Sequence, residues 1–128
     1  MRSARRPGPE RGQATVELAL CLPLVLLAVL LVVQVGLVVR DQLRVVHAAR
    51  EAARQAAVDP SVDGARAAAI AGARLDAGRT TVQLSGGGGP GSRITAVVAY
   101  RAPTDVPLVG SLVPDPTLKA EVTMRVEG

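Results

Sequence analysis

Residues 12–39, GQATVELALCLPLVLLAVLLVVQVGLVV, decide how this chain is organised. The 22 residues between Glu17 and Arg40 carry no charge, and as a helix they extend roughly 33 Å. A hydrocarbon core is about 30 Å thick, so a helix of this length crosses it. A buried helix of a soluble protein can also be apolar on every side, but the length of the run disfavours that interpretation in a chain of 128 residues. The sequence therefore predicts a single transmembrane helix over residues 13–39.

The segment before this helix, residues 1–12, is a short basic leader, MRSARRPGPERG. Its two prolines, two glycines and four arginines predict an unstructured segment. Four arginines also follow the apolar run, at positions 40, 44, 50 and 54, so the positive-inside rule does not decide the orientation of the helix. The topology has to be inferred from another feature.

Two simpler export signals are compatible with part of this pattern. A secretory signal peptide also places arginines before an apolar run, but this run is longer than a usual signal core and no small-x-small cleavage site closes it. A lipoprotein signal needs a cysteine after its apolar stretch, whereas Cys21 precedes most of it. Because Cys21 is the only cysteine, no intramolecular disulfide can form.

We expect the helix to continue out of the membrane over residues 40–58, which contain neither glycine nor proline. Four alanines at helical spacing form a stripe of small side chains along it: Ala49, Ala52, Ala53 and Ala56. The stripe either lets another helix or a sheet approach closely or reflects only the high helix propensity of alanine. Together with Pro23 in the apolar run, these alanines are the candidate helix-packing residues.

A second helix is predicted after the Asp59-Pro60 pair. Asp59 is a suitable N-cap and Pro60 a suitable first helical residue. The Ala-rich segment that follows extends to about Ala77, where Gly78 is a natural stop. This helix is expected to help cover the sheet that the next residues form.

Alternating apolar side chains predict three half-buried strands over residues 80–85, 93–101 and 118–127. The inward-facing side chains are Val82, Leu84, Ile94, Ala96, Val98, Tyr100, Leu118, Ala120, Val122, Met124 and Val126. The predicted fold class is α+β. The transmembrane helix, residues 13–39, is predicted to extend into a long α-helix. The head, residues 40–128, contains this extension, a second helix and a three-stranded antiparallel sheet.

Two loops join the predicted strands. Residues 85–92, SGGGGPGS, lack the Gly-Lys-Ser/Thr ending of a phosphate-binding loop and precede no predicted helix. The second loop, residues 102–117, contains four prolines and an apolar patch. The patch consists of Val106, Leu108, Val109, Leu112 and Val113. These side chains either pack back on the sheet or present a contact surface.

The composition disfavours several classes of function. The net charge is +4, yet there is no dense basic patch and only one aromatic residue, Tyr100, so nucleic-acid binding is not expected. One histidine, His47, and one cysteine supply neither a nucleophile with its base nor a metal cluster. We therefore expect a protein that is not an enzyme and has no cofactor, metal or small-molecule substrate. The scarcity of large side chains predicts a marginally stable head that gains stability from a partner or from assembly.

The most informative motif is Gly12 followed five residues later by Glu17, at the edge of the apolar run. A carboxylate there is costly, about 2.5–3.5 kcal/mol at a helix centre and less near the interface. If the chain were cut after Gly12, the new α-amino group of Gln13 would be a cationic partner for Glu17 of a neighbouring subunit. Otherwise Glu17 is an ordinary interfacial carboxylate in the headgroup region.

This arrangement resembles the class III signal of type IV prepilins, in which a prepilin peptidase cuts after the glycine on the cytoplasmic face and the apolar helix is retained. More widely, residues 11–58 resemble the TadE family of the tight-adherence (Flp pilus) system. The resemblance lies in Gly12, the segment VELA at 16–19, Pro23, Gly36 and the block AAREAAR at 48–54. The C-terminal segment MRVE, at 124–127, is also similar to the ending of that family.

The resemblance implies a minor pilin or pseudopilin-like subunit with a single membrane pass, a cytoplasmic leader (residues 1–12) and an extracytoplasmic head. It implies cleavage between Gly12 and Gln13 and charge pairing by Glu17 during assembly. The implied partners are membrane lipid, a prepilin peptidase and other pilin or tight-adherence components. The main alternative is an uncleaved anchor whose head binds another envelope or secretion-complex protein. A third interpretation is a secreted domain released by ordinary signal peptidase.

Overall fold

The computed structural model describes residues 10–128, with side chains from residue 12 onward. The elements are α1 (Glu10–Val58), α2 (Val62–Ala73), a 3-10 turn (Ala77–Arg79), β1 (Thr80–Gly86), β2 (Arg93–Arg101) and β3 (Thr117–Arg125). The predicted α+β fold class, with one long apolar helix, a second helix and a three-stranded antiparallel sheet, is confirmed.

Helix α1 is uninterrupted over 49 residues. The apolar run and its charged extension therefore form one continuous helix. Residues 40–58 contain no helix breaker, and the helix continues through Pro23. Because α1 begins at Glu10, the last residues of the predicted leader, including Gly12, are helical. The remainder of the leader, residues 1–9, lies outside the described residues.

The predicted start of α2 was wrong: the N-cap is Ser61 and the first helical residue is Val62. The Ser61 hydroxyl accepts a hydrogen bond from the Gly64 amide at 3.1 Å. The amide of Ser61 donates to the carbonyl oxygen of Asp59 at 2.7 Å, which places Asp59 and Pro60 in a turn ahead of the helix. Serine is as good an N-cap as aspartate, and the turn at Asp59 and Pro60 leaves Ser61 at the start of the helix.

The predicted end of α2 was also wrong, because the helix ends at Ala73 rather than near Ala77. Arg74 adopts a left-handed conformation (φ 54°), and its amide donates to the carbonyl oxygen of Ile70. This conformation usually favours glycine, but here a non-glycine residue occupies it. Gly78 instead lies in the 3-10 turn, where its amide donates to Asp76 Oδ1 at 2.8 Å.

The sheet has the order β1-β2-β3, with both pairs antiparallel. Val98 of the central strand pairs with Val82 on one side and Ala120 on the other. The predicted alternation is confirmed: inward side chains are buried in β2 and half-buried in β3. The last strand ends at Arg125, earlier than predicted, and the Glu127 amide then donates to the carbonyl oxygen of Ala57 in α1 at 3.1 Å.

The core lies where the C-terminal half of α1 packs against α2 and against strands β2 and β3, while α2 also contacts β1. Small side chains let these elements approach closely, and Gly72 of α2 marks one close contact. A Cβ atom on Gly72 would lie 2.9 Å from Cγ of Glu51 in α1. The two helix glycines that weaken the helical prediction for α2, Gly64 and Gly72, therefore both face α1 side chains, with Gly64 near Gln55.

Candidate assembly surface

The N-terminal half of α1 extends away from the head and exposes large apolar side chains along its length. Its most apolar 18-residue window has a mean hydropathy of 2.9, and none of that window is buried. An exposed apolar face of this size is not stable in water and is typical of a membrane or protein contact. By length and composition, α1 is one helix able to cross a membrane.

The three residues of the predicted processing motif lie on the first turns of α1. Gly12 is exposed, and a Cβ atom placed on it would have no neighbour within 4 Å. Gln13 is the next residue, and its Nε2 donates to Oε1 of Glu17, one turn further along, at 3.4 Å. This contact between residues four apart satisfies one carboxylate oxygen but brings no positive charge to it.

Glu17 is not part of the ion pairs among the described side chains. Those pairs are Asp41 with Arg44 at 3.6 Å and Arg79 with Asp115 at 3.0 Å, both in the head. A cationic partner for Glu17 would therefore come from outside the described side chains. The α-amino group that cleavage after Gly12 would create has the required charge.

Pro23 lies inside α1 with its ring exposed. Proline has no amide hydrogen, so the carbonyl oxygen of Ala19 loses its usual helical hydrogen bond. In a membrane, a neighbouring helix or a local adjustment satisfies such a group. A second helix packed at Pro23 could therefore supply a hydrogen-bond donor to the carbonyl oxygen of Ala19.

The four alanines of the stripe lie within the head core and not on the outer surface. All four are fully buried where α1 packs against α2 and the sheet. Their small side chains therefore serve contacts within this chain, and another subunit cannot reach them in this conformation. The buried set also includes Val45, Ala48 and Ala57, which the stripe did not contain.

A second surface was only partly anticipated from the sequence. The connection between β2 and β3, residues 102–116, is here called the apolar loop, and it packs against the apolar part of α1. Val106 and Val109 of its apolar patch are buried, and Val109 lines a groove with α1, whereas Leu108, Leu112 and Val113 are exposed. Gln34 of α1 is buried beside this loop, with its Oε1 lacking a hydrogen-bond partner among the described residues. A glutamine inside an apolar run was the available sequence signal for this contact.

The base of the apolar loop is held by Asp115. Its Oδ1 accepts from the Thr104 amide at 3.0 Å, and its Oδ2 accepts from Arg79 Nη1 at 3.0 Å. The Thr104 amide, followed by the Arg79 guanidinium, holds the pKa of the Asp115 carboxyl below its usual value. Asp115 thereby links the loop to the start of β1 through a charged contact.

Replacing Asp115 by asparagine is expected to lower the urea midpoint of the full chain in detergent micelles at near-neutral pH. Because the folded pKa lies below the ordinary value of 3.8, the carboxylate contributes stability above that value and loses it as the pH falls through the folded pKa. The midpoints of wild type and Asp115→Asn should therefore converge in acid. Asp105→Asn, at an exposed site on the same loop, is the matched control. A gap that persists in acid would contradict the charge explanation.

The described residues hold no group of three or more His, Cys, Asp or Glu side chains that could bind a metal ion. Cys21 is exposed on the apolar part of α1, and His47 is exposed on its charged part. These two side chains are therefore separated by 26 helical residues, or about 39 Å along α1.

Residues 12–54 match the family model described as TadE-like protein, which confirms the resemblance seen in the sequence. The matched segment lies wholly within α1, so α2 and the sheet are outside it. Comparisons with curated proteins and with solved structures give no match.

Proposed function

We propose that this chain, whose long helix is TadE-like, is a minor pilin or pseudopilin-like structural subunit of a tight-adherence (Flp) pilus or a related secretion apparatus. The TadE-like match associates the chain with pilus assembly at the membrane. The observation that carries the finer proposal is the exposed apolar helix with Gly12 five residues ahead of Glu17. The proposed role is that of a structural subunit and not of an enzyme.

The proposed subunit crosses the cell membrane once, with its leader in the cytoplasm and its head outside. A prepilin peptidase then cuts after Gly12. The helix N-terminus suits such a cut, because α1 begins only two residues earlier and glycine lowers helix stability by about 1 kcal/mol relative to alanine. Local unwinding at Gly12 would expose the scissile bond to the peptidase.

After the cut, the α-amino group of Gln13 is the proposed partner of Glu17 in a neighbouring subunit. Pairing neutralises two charges that would otherwise both lie at the membrane edge, so it favours side-by-side packing of helices. The exposed apolar face of α1 supplies the remaining contact with lipid or with other pilin components. The C-terminal half of α1 is buried in the head core, so the exposed N-terminal half is the part of this helix available for such packing.

The test of this proposal is the intact mass of the protein isolated from native membranes. We expect a chain that begins at Gln13 and retains the whole apolar helix. A chain that still carries residues 1–12 would favour the second candidate, an uncleaved anchor whose head binds another envelope or secretion-complex protein. Loss of the apolar helix would indicate a secreted domain and would contradict both membrane-anchored functions.

A further inference from the structure

We infer that the tip of the apolar loop, residues 106–114, inserts into the lipid bilayer beside α1 on the head side of the membrane. This inference rests on the proposal that α1 crosses the membrane. It concerns a different part of the molecule, because it assigns a second lipid-contacting element to the head. The partner is membrane lipid, with acyl chains around the loop tip and phosphate headgroups around its base.

The first argument is the position of the loop along α1. Val109 and Val113 of the loop line an apolar groove together with Gln34 and Val35 of α1. Gln34 lies six residues before Arg40, the first charge after the apolar run, which is about 9 Å along the helix axis. If the apolar run occupies the hydrocarbon core, the loop tip lies at the depth of acyl chains.

The second argument is the chemistry of the loop tip. Residues 106–114, VPLVGSLVP, contain no charge, and their two prolines have no amide hydrogen. The amides of Gly110 and Val113 donate to the carbonyl oxygens of Val106 and Val109, each at 2.9 Å. Ser111 turns its hydroxyl back to the carbonyl oxygen of Leu108 at 2.9 Å. Internal hydrogen bonds of this kind are what a non-helical segment needs in lipid.

The third argument is the pair of leucines that the tip presents outward. Leu108 and Leu112 are 62% and 72% exposed. Leu108 has a φ of 67°, a left-handed conformation that favours glycine over a side chain of this size. Conformational strain together with exposure of an apolar side chain is unfavourable in water. Transfer of the two leucine side chains from water to acyl chains would be favourable and would offset the strain at Leu108.

Charged residues lie at the base of the loop and not at its tip. Arg40 at the end of the apolar run and Arg101 at the end of β2 are exposed, and Arg79 contacts Asp115. The amide of Ala102 donates to the carbonyl oxygen of Pro116 at 2.9 Å and closes the loop at this level. Arginine side chains at the base of the loop can reach lipid phosphates while their aliphatic parts lie along the apolar surface.

The test uses tryptophan as a depth reporter, since the chain contains none. The full chain is reconstituted as Leu112→Trp in vesicles of phosphatidylcholine and phosphatidylglycerol, with and without bromine on the acyl chains. Val25→Trp, in the middle of the apolar run, is the membrane control. Ser85→Trp is the water control, because Ser85 is exposed and pairs with Thr95, about 20 Å along β2 from Arg101.

We expect Leu112→Trp to lose most of its fluorescence to brominated lipid and to resist aqueous acrylamide, as Val25→Trp does. Acrylamide quenching equal to that of Ser85→Trp would overturn the inference. Protection from both quenchers would mean that protein covers Leu112, as in a contact with a second copy, and would overturn it as well. If Val25→Trp itself escapes brominated lipid, the membrane-anchored function fails, which separates the two proposals.

Discussion

Replacing Gly12 by leucine is expected to leave residues 1–12 on the whole population of the protein. In the proposed cleavage, glycine before the cut would let the start of the helix unwind and would fit a peptidase site for a small residue. Leucine would instead stabilise the helix by up to about 1 kcal/mol and add bulk. A Cβ atom at this position has no neighbour within 4 Å, so the fold itself should not change. The measurement is the intact mass of the variant from native membranes.

Gly36→Leu is the matched control for this experiment. Gly36 lies on the same helix, and a Cβ atom there also has no neighbour within 4 Å. This variant should be processed like the wild type, because the substitution lies 24 residues from the cut. Cleavage of Gly12→Leu at the wild-type level would mean that Gly12 is not a recognition element.

Glu17→Ala separates cleavage from assembly in the same experiment. We expect its mass to match the processed wild type, while its amount in the assembled fraction falls. Glu17→Gln keeps a hydrogen-bonding partner for Gln13 but removes the charge, so it should behave like Glu17→Ala if ion pairing is the cause. Normal assembly of both variants would remove the physical basis for the proposed contact between subunits.

Ala52→Leu is expected to lower the free energy of unfolding of the head by about 1–3 kcal/mol. Ala52 is fully buried where α1 packs against the other layers, so three extra carbons have no space without moving a neighbouring layer. A loss of this size is a large share of the stability of a small head with one aromatic side chain. Urea unfolding of the full chain in detergent micelles, followed by circular dichroism, measures it.

The control for this substitution is Ala67→Leu. Ala67 lies on α2 and is exposed, so leucine there changes helix propensity only slightly and meets no packed layer. Its unfolding midpoint should stay close to that of the wild type. Equal midpoints for Ala52→Leu and Ala67→Leu would show that the α1 packing surface tolerates volume and is not close-packed.

Much of the fold follows from local pattern. The charge-free run before Arg40 predicts the exposed apolar helix, and alternation at positions such as Val82, Ile94 and Val98 predicts strands whose inward faces are buried. These features depend on neighbours within a few residues, because the side-chain period is set by the backbone of each element. The start of α2 was harder to predict from the sequence. Asp59 and Ser61 are both good N-caps, and only the turn between them selects Ser61.

For the candidate site, the sequence by itself determined that Gly12, Gln13 and Glu17 lie close together at the start of an apolar helix. It did not determine which surfaces remain free. Tertiary packing buried the alanine stripe and brought the apolar loop, some 70 residues later in the chain, onto Gln34. Helical periodicity places side chains on a face, but burial depends on which distant segment covers that face. Only the folded structure supplied that contact.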